Sequence, residues 1–261
     1  MNGNNQAGSP QGGFSLIEMM MVLLILGIVS AGLFMQIDTA QQRAFSEQVK
    51  LDNFQEARDF VDQFFRDINQ IGYPNSRMVD ASTGLSWTPP LVSQTTYSWA
   101  SPYINDNRLA MGLVKIDASA IQFEGDMNGN GAVQSVTYMV NGSGNCNLCL
   151  QRSQTAKVSG NPLTGQTQNW GTETNDVLSN PIFSYFQADG TQIPNTSLPM
   201  DISTSTNAKI IASIKTIKIS LLIRNNAVLD PKTRQPLETT LEGEVSLNNC
   251  SMASSGAPMS C

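Results

Sequence analysis

The residues most able to do chemistry in this sequence lie near its N-terminal end, where a Gly13-Phe14 junction precedes a long apolar run. The junction is a candidate cleavage site, because the residues before it are polar, glycine-rich and uncharged, which predicts a disordered segment. Within the apolar run, Glu18 is the one charged residue between Phe14 and Ile37. A carboxylate inside a membrane span costs roughly 2.5 kcal/mol or more, so Glu18 is a candidate functional residue.

The apolar run is long enough to cross a membrane. As a helix, residues 14–37 would measure about 36 Å, against a hydrocarbon core of about 30 Å. A secretory signal peptide has a positive n-region, a shorter apolar core and a cleavage site after that core. Here the candidate cut precedes the run. The sequence therefore predicts a span that survives processing.

A second candidate site is the sequence DMNGNG at residues 126–131. It places oxygen ligands at alternate positions and a glycine at the sixth, as the start of a calcium loop requires. Position twelve is Thr137 rather than a bidentate glutamate, and no flanking helices are predicted, so the segment is not an EF-hand. The alternative, which we favour, is a glycine-rich hairpin turn without metal. The candidate calcium ligands are Asp126, Asn128, Asn130 and Gln134.

The four cysteines, Cys146, Cys149, Cys250 and Cys261, permit three disulfide pairings. Local pairing would join Cys146 to Cys149 and Cys250 to Cys261. A four-cysteine zinc site suits a cytosolic protein better, and no βαβ pattern follows the C-x-x-C, which argues against thiol redox catalysis. We expect structural disulfides and an oxidising compartment.

Composition argues against catalysis and against nucleic-acid binding. The chain has no histidine, the commonest general base, and contains no G-x-S-x-G, P-loop or paired-carboxylate pattern. A net charge of −6 and a pI near 4.6 leave no broad basic stripe for nucleic acid. We predict a protein that is not an enzyme and needs no cofactor, with calcium as the possible exception.

One long helix is predicted to carry the N-terminal residues. Apolar residues continue after the span in steps of three and four, and Gly72-Tyr73-Pro74 predicts the end of the helix. A helix over residues 14–71 would be roughly 87 Å long, with its first half free and its second half packed on a head. The apolar positions of the second half are Phe45, Val49, Phe54, Ala57, Val61, Phe64, Phe65, Ile68 and Ile71.

The remaining residues, 73–261, predict one β-rich head. Strand patterns recur from residue 121 onward, and alternation is clearest at 217–223 and 241–247. Residues 74–110 are predicted to be irregular and residues 153–180 to form a loop. A long helix against an antiparallel meander is an α+β roll.

The sequence G-F-S-L-I-E at residues 13–18, followed by about twenty apolar residues and an amphipathic helix, resembles the class III signal of type IV pilins and type II secretion pseudopilins. The resemblance implies cleavage between Gly13 and Phe14 by a prepilin peptidase and N-methylation of Phe14. It also implies that Glu18 accepts the Phe14 amine of a neighbouring subunit in a filament, and that the α+β fold is a pilin-like roll. The implied parts are a leader at 1–13, a transmembrane and filament-core helix at 14–37, its amphipathic continuation at 38–72, and a globular head at 73–261.

Within this family the large polar head is most similar to those of PilW-type minor pilins. The resemblance implies a subunit that primes type IV pilus assembly at or near the filament tip. Its partners would be other minor pilins, the major pilin, the inner-membrane assembly platform and the prepilin peptidase. Before assembly it would cross the inner membrane once, with a periplasmic head. The alternatives are a J-type pseudopilin of type II secretion, and a tip adhesin or ligand-binding module that uses the segments at 74–110 and 153–180.

Overall fold

The computed structural model of the 261-residue chain describes most of the N-terminal helix and the greater part of the head. The described residues are 13, 15–73, 110–142, 148–158, 161–178, 180–230 and 233–247. The segment predicted to be irregular, 74–110, lies outside these ranges except for Ala110.

Helix α1 runs without interruption over Leu16–Asn69, which is 54 residues or about 81 Å. From Leu16 to Phe45 its side chains are exposed, apart from a half-buried Ser30. After the helix ends, Gly72 has a φ of 73°, a left-handed conformation that favours glycine, and its N–H donates to the Glu124 carbonyl at 2.9 Å. The predicted free first half and the predicted stop near Gly72 are both confirmed.

The described part of the head contains two antiparallel sheets. The first sheet has six strands in the order β5-β4-β3-β2-β1-β7, and the second has three in the order β6-β8-β9. A short helix, α2 (Ser205–Ala212), precedes β8. The strands are β1 Leu113–Ile116, β2 Ala120–Gly125, β3 Gln134–Asn141, β4 Cys149–Ala156, β5 Trp170–Thr174, β6 Phe183–Gln187, β7 Met200–Asp201, β8 Ile214–Leu229 and β9 Pro236–Ser246.

Period-two alternation determines which face of each strand is buried. On β8, Ile217, Ile219 and Leu221 are fully buried. On the opposite face, Lys218 pairs with Glu242 of β9 at 2.8 Å. The buried face contributes to the core, and the charged face meets solvent, as the alternation in the sequence predicts.

The core forms where α1 crosses the two sheets. Phe64 of α1 lies edge-on to Tyr138 of β3, with ring centroids 5.5 Å apart, and stacks on Phe183 of β6 at 5.4 Å. Phe65 lies over Gly243 of β9, where a Cβ would overlap its ring. Glycine at that position therefore lets the helix approach the second sheet closely.

The predicted α+β fold, a long helix on antiparallel sheets, is confirmed. Two finer predictions are wrong. Residues 153–180 are not one loop, because β4 continues to Ala156 and β5 pairs with it along the sheet edge. Phe45 and Phe54 do not pack on the head and are 60% and 41% exposed. The cause for Phe45 is helical drift, since at 3.6 residues per turn it lies roughly 120° around α1 from the buried Ala57.

Candidate functional site

The first turn of α1 positions the residues predicted to act in processing and assembly. Ser15 is the N-cap with extended backbone angles, and its carbonyl accepts hydrogen bonds from the N–H groups of Glu18 and Met19 at 3.0 and 3.2 Å. Gly13 is exposed just before this turn, and Phe14 lies outside the described residues. The helix therefore begins within three residues of the predicted cleavage site, on an exposed segment.

Glu18 is exposed on this first turn. A carboxylate near a helix N-terminus is stabilised by the helix dipole, typically by about 0.3–1 kcal/mol. Among the residues that the structure describes, none forms a hydrogen bond or ion pair with the Glu18 side chain. The carboxylate is thus free to accept a cation from outside its own chain.

The helix surface around Glu18 is apolar. One helix of the described chain is long and apolar enough to cross a membrane, and its most apolar window has a mean hydropathy of 2.4 with none of its residues buried. Burying this surface in lipid or against other helices removes it from water, and each large side chain contributes roughly 1.5–3 kcal/mol. The segment is consistent with a membrane anchor.

Residues 8–34 match the family model described as the prokaryotic N-terminal methylation motif. The motif indicates a type IV pilin-like or pseudopilin protein. The match spans the predicted cleavage site, Glu18 and most of the apolar run, and it ends before the head begins. None of the curated proteins and none of the solved structures matches this chain.

The motif is consistent with the exposure of the first half of α1, which the described residues of the head leave uncovered. Pilin-like proteins are structural, and the motif implies processing by a prepilin peptidase and partners in filament assembly. The cut at Gly13-Phe14 and the pairing of Glu18 stay predictions.

The candidate calcium turn joins β2 to β3. Asp126 is buried, and its two carboxylate oxygens accept the backbone N–H groups of Asn130 and Gly131 at 3.2 and 2.6 Å. The side-chain oxygen of Asn130 accepts the N–H of Ala132 at 2.9 Å. These bonds close the turn as Asx-type side chains do. Asn128 and Gln134 both contact Gln154 instead of converging on Asp126. Calcium binding stays a prediction.

One of the four cysteines lies among the described residues. Cys149 begins β4, is buried and is disulfide-bonded. Cys146, Cys250 and Cys261 lie outside the described residues, so the predicted pairing stays a prediction.

Two ion pairs with buried carboxylates, one between α1 and the head and one within the head, were missed by sequence reasoning. Asp67 on α1 accepts hydrogen bonds from Arg152 of β4 and from the Tyr138 hydroxyl, each at 2.7 Å. Burial, together with the Asp67 charge, raises the pKa of Tyr138 well above its ordinary value. Glu124 of β2 pairs with Lys157 at 2.7 Å, and neither side chain is exposed. Such pairs join residues far apart in sequence, so no local pattern reveals them.

A polar groove lies beside Arg152, at the edge of the first sheet. It is open, encloses about 490 Å³, and is lined in part by Asn128, Gln134, Gln154 and Glu173. The sequence carried one usable signal, because Leu150, Arg152 and Gln154 occupy every second position and therefore share the face of β4 that meets α1. The mistaken prediction of a loop at 153–180 concealed that alternation.

Glu173 gives a pH-dependent prediction. Burial raises its pKa above the ordinary value, and the nearby Arg152 offsets that increase in part. A carboxyl whose pKa is raised on folding favours the folded state below its unfolded pKa, about 4.3, and this contribution is lost as the pH rises through its folded pKa. Glu173→Gln should therefore melt at a higher temperature than the wild type at pH 7, and the difference should shrink toward pH 4. If the difference in melting temperature between Glu173→Gln and the wild type stayed constant from pH 4 to pH 7, the raised pKa of Glu173 would be contradicted.

Proposed function

We propose that this chain is a minor pilin of the PilW type, which helps to prime type IV pilus assembly and is incorporated at or near the filament tip. Before assembly, α1 holds the chain in the inner membrane with the head in the periplasm. The observation that carries the proposal is the sharp division of α1. Its first half is exposed, apolar and bears the methylation motif, whereas its second half is fixed to the head.

The attachment of α1 to the head favours a role as an assembly subunit. Ala57, Phe60, Phe64 and Ile68 are almost fully buried, and the Asp67–Arg152 pair joins the end of the helix to the first sheet. Because the helix is anchored by both apolar packing and charge, the head moves with it when the first half leaves the lipid. A rigid connection of this kind transmits the position of the helix in a filament to the head.

Glu18 supplies the docking element in this proposal. Cleavage between Gly13 and Phe14 creates a positive amine at Phe14, and its methylated form keeps that charge. In lipid, the Glu18 carboxylate and the Phe14 amine each carry a desolvation cost. Pairing between the carboxylate of one subunit and the amine of the adjoining subunit offsets that cost. The absence of a Glu18 partner within the described chain supports a partner on another subunit.

The size of the head supports a minor subunit rather than a major one. In the described residues, two sheets and α2 surround the end of one helix, and the head at 73–261 makes up most of the chain. Packing that domain at every position of a thin filament is sterically costly, whereas a tip or a priming complex has room for it. The structural disulfides proposed for the cysteines suit a periplasmic head.

Deleting the gene tests the proposal and separates it from its alternatives. We expect loss of surface pili, counted by electron microscopy and by shearing, with recovery when the wild-type gene is returned. Intact pili with impaired protein secretion would assign the chain to a type II secretion pseudopilus. Intact pili with lost attachment would assign it to adhesion. Either outcome would overturn the priming role.

A further inference from the structure

The groove at the edge of the first sheet is built from polar side chains that are only partly satisfied. Gln134, which begins β3, is 8% exposed, and one end of its amide contacts the Gln154 amide. Among the described residues the other end has no hydrogen-bond partner. The Gln134 amide nitrogen is not one of the buried polar atoms without a partner, so it is accessible from the open groove and can donate to a ligand bound there.

Two further groups of the groove also have hydrogen-bonding capacity that the described residues leave unused, the exposed Asn128 and the half-buried Glu173. Asn128 uses its side-chain oxygen for the Gln154 amide at 3.3 Å, and its amide nitrogen has no partner among the described residues. Glu173 is half-buried, and its carboxylate forms no hydrogen bond or ion pair within them. The groove therefore presents donors and an acceptor side by side, held in place by Gln154 and the strands.

The charges of the groove exclude a strongly ionic ligand. Arg152 is already neutralised by Asp67 at 2.7 Å, so it offers little net attraction to an anion. Glu173 would repel an anion, and the nearby positive charge of Arg152 weakens the attraction of Glu173 for a cation. Trp170, 38% exposed, also contributes to the lining and adds one apolar surface to the polar wall.

We propose that this groove binds a neutral, hydroxyl-rich ligand of the saccharide class. An amide combines donors and an acceptor in one plane, and a carboxylate offers two acceptor oxygens, so each can bind two neighbouring hydroxyls of a sugar ring. The aromatic side chain can cover the apolar C–H face of such a ring. A peptide is disfavoured, because apolar pockets for alternate side chains are missing from the lining. The inference goes beyond the proposed function, since filament assembly does not require it.

The test uses the full-length processed chain in a polyoxyethylene detergent, because maltoside detergents would themselves offer sugar rings. Saturation-transfer NMR and titration calorimetry would probe maltotriose, cellotriose and chitotriose, with inorganic phosphate and a glycine-rich tetrapeptide as the other classes. We expect at least one trisaccharide to bind, with saturation at or below roughly 10 mM. Asn128→Ala and Glu173→Ala should each weaken that binding at least about fivefold, as expected for one or two lost hydrogen bonds.

Gln168→Ala provides the matched control, because Gln168 is an exposed amide on the neighbouring connection and does not line the groove. It should leave the affinity unchanged. Thermal unfolding of all three variants checks that the head remains folded. The proposal is overturned if none of the three trisaccharides binds, if both groove variants bind as well as the wild type, or if phosphate or the peptide binds more tightly. Retained pili with lost sugar binding would leave the assembly role intact, so the two proposals fail separately.

Discussion

Replacing Glu18 with alanine is expected to remove the chain from filaments while leaving it processed and inserted in the membrane. In the proposed mechanism, the carboxylate and the Phe14 amine of a neighbour each cost roughly 2.5 kcal/mol or more in lipid, and pairing relieves that cost on assembly. Alanine removes the carboxylate and leaves the Phe14 amine of the neighbouring subunit without its counter-charge. Relief of 2.5–3 kcal/mol corresponds to about a hundredfold in the assembly equilibrium, so incorporation measured in sheared filaments should fall by that order.

Glu56→Ala is the matched control for this prediction. Glu56 is an exposed glutamate on the same helix, beyond the apolar run. Its loss should leave incorporation near the wild-type level. Mass spectrometry of the membrane fraction should show that both variants begin at a methylated Phe14. Normal incorporation of Glu18→Ala would refute the proposed pairing, and a chain that is not cleaved would move the role of Glu18 to processing.

Lys157→Met is expected to lower the free energy of unfolding by about 3–5 kcal/mol, the cost of leaving a buried charge without its partner. Lys157 contacts Glu124 at 2.7 Å with both side chains inaccessible to solvent. Glu124 keeps one hydrogen bond from the Met111 N–H at 2.9 Å, and its Oε1 has no partner in the described part of the chain. Burial raises the pKa of Glu124, so in the variant the carboxyl should take up a proton. Chemical unfolding of the purified chain in detergent measures the loss.

An exposed ion pair with nearly the same geometry serves as the control. Lys218 lies 2.8 Å from Glu242, but the two side chains are 38% and 53% exposed. Lys218→Met should therefore cost no more than about 1 kcal/mol. Adding Glu124→Gln to Lys157→Met removes the buried charge and should recover part of the stability. Equal losses for the two lysine variants would show that burial of the pair does not determine its contribution.

Local patterns predicted most of the framework of this protein. The apolar run, the periodicity after it and the Gly72 stop predicted α1 within two residues at each end. Alternation predicted the buried faces of β8 and β9, because period two in a half-buried strand needs no knowledge of its neighbours. Phe45 shows the limit of such reasoning. Apolar residues spaced three or four apart do not stay on one face of a long helix. Which of them are buried depends on how far the sheets extend along α1.

Of the candidate sites, one could be found from the sequence and one could not. The exposed glutamate at the start of α1 could be found from the sequence, since one charge in an apolar run is anomalous whatever the rest of the chain does. The polar groove could not. It requires the pairing of β4 with β3 and β5, which brings Gln134, Arg152 and Glu173 together from three strands.

By itself the sequence determined the long helix, its exposed apolar half, the methylation motif and the α+β class, because each depends on residues close together in the chain. Only the tertiary structure decided that the described part of the head has two sheets, that Asp67 and Glu124 are paired in the interior, and that amides with unused hydrogen-bonding capacity line a groove. The physical reason is that burial and charge pairing are properties of long-range contacts. Glu18 is marked by its apolar surroundings in the sequence, whereas no local pattern marks Glu124, which only folding places in the core opposite Lys157.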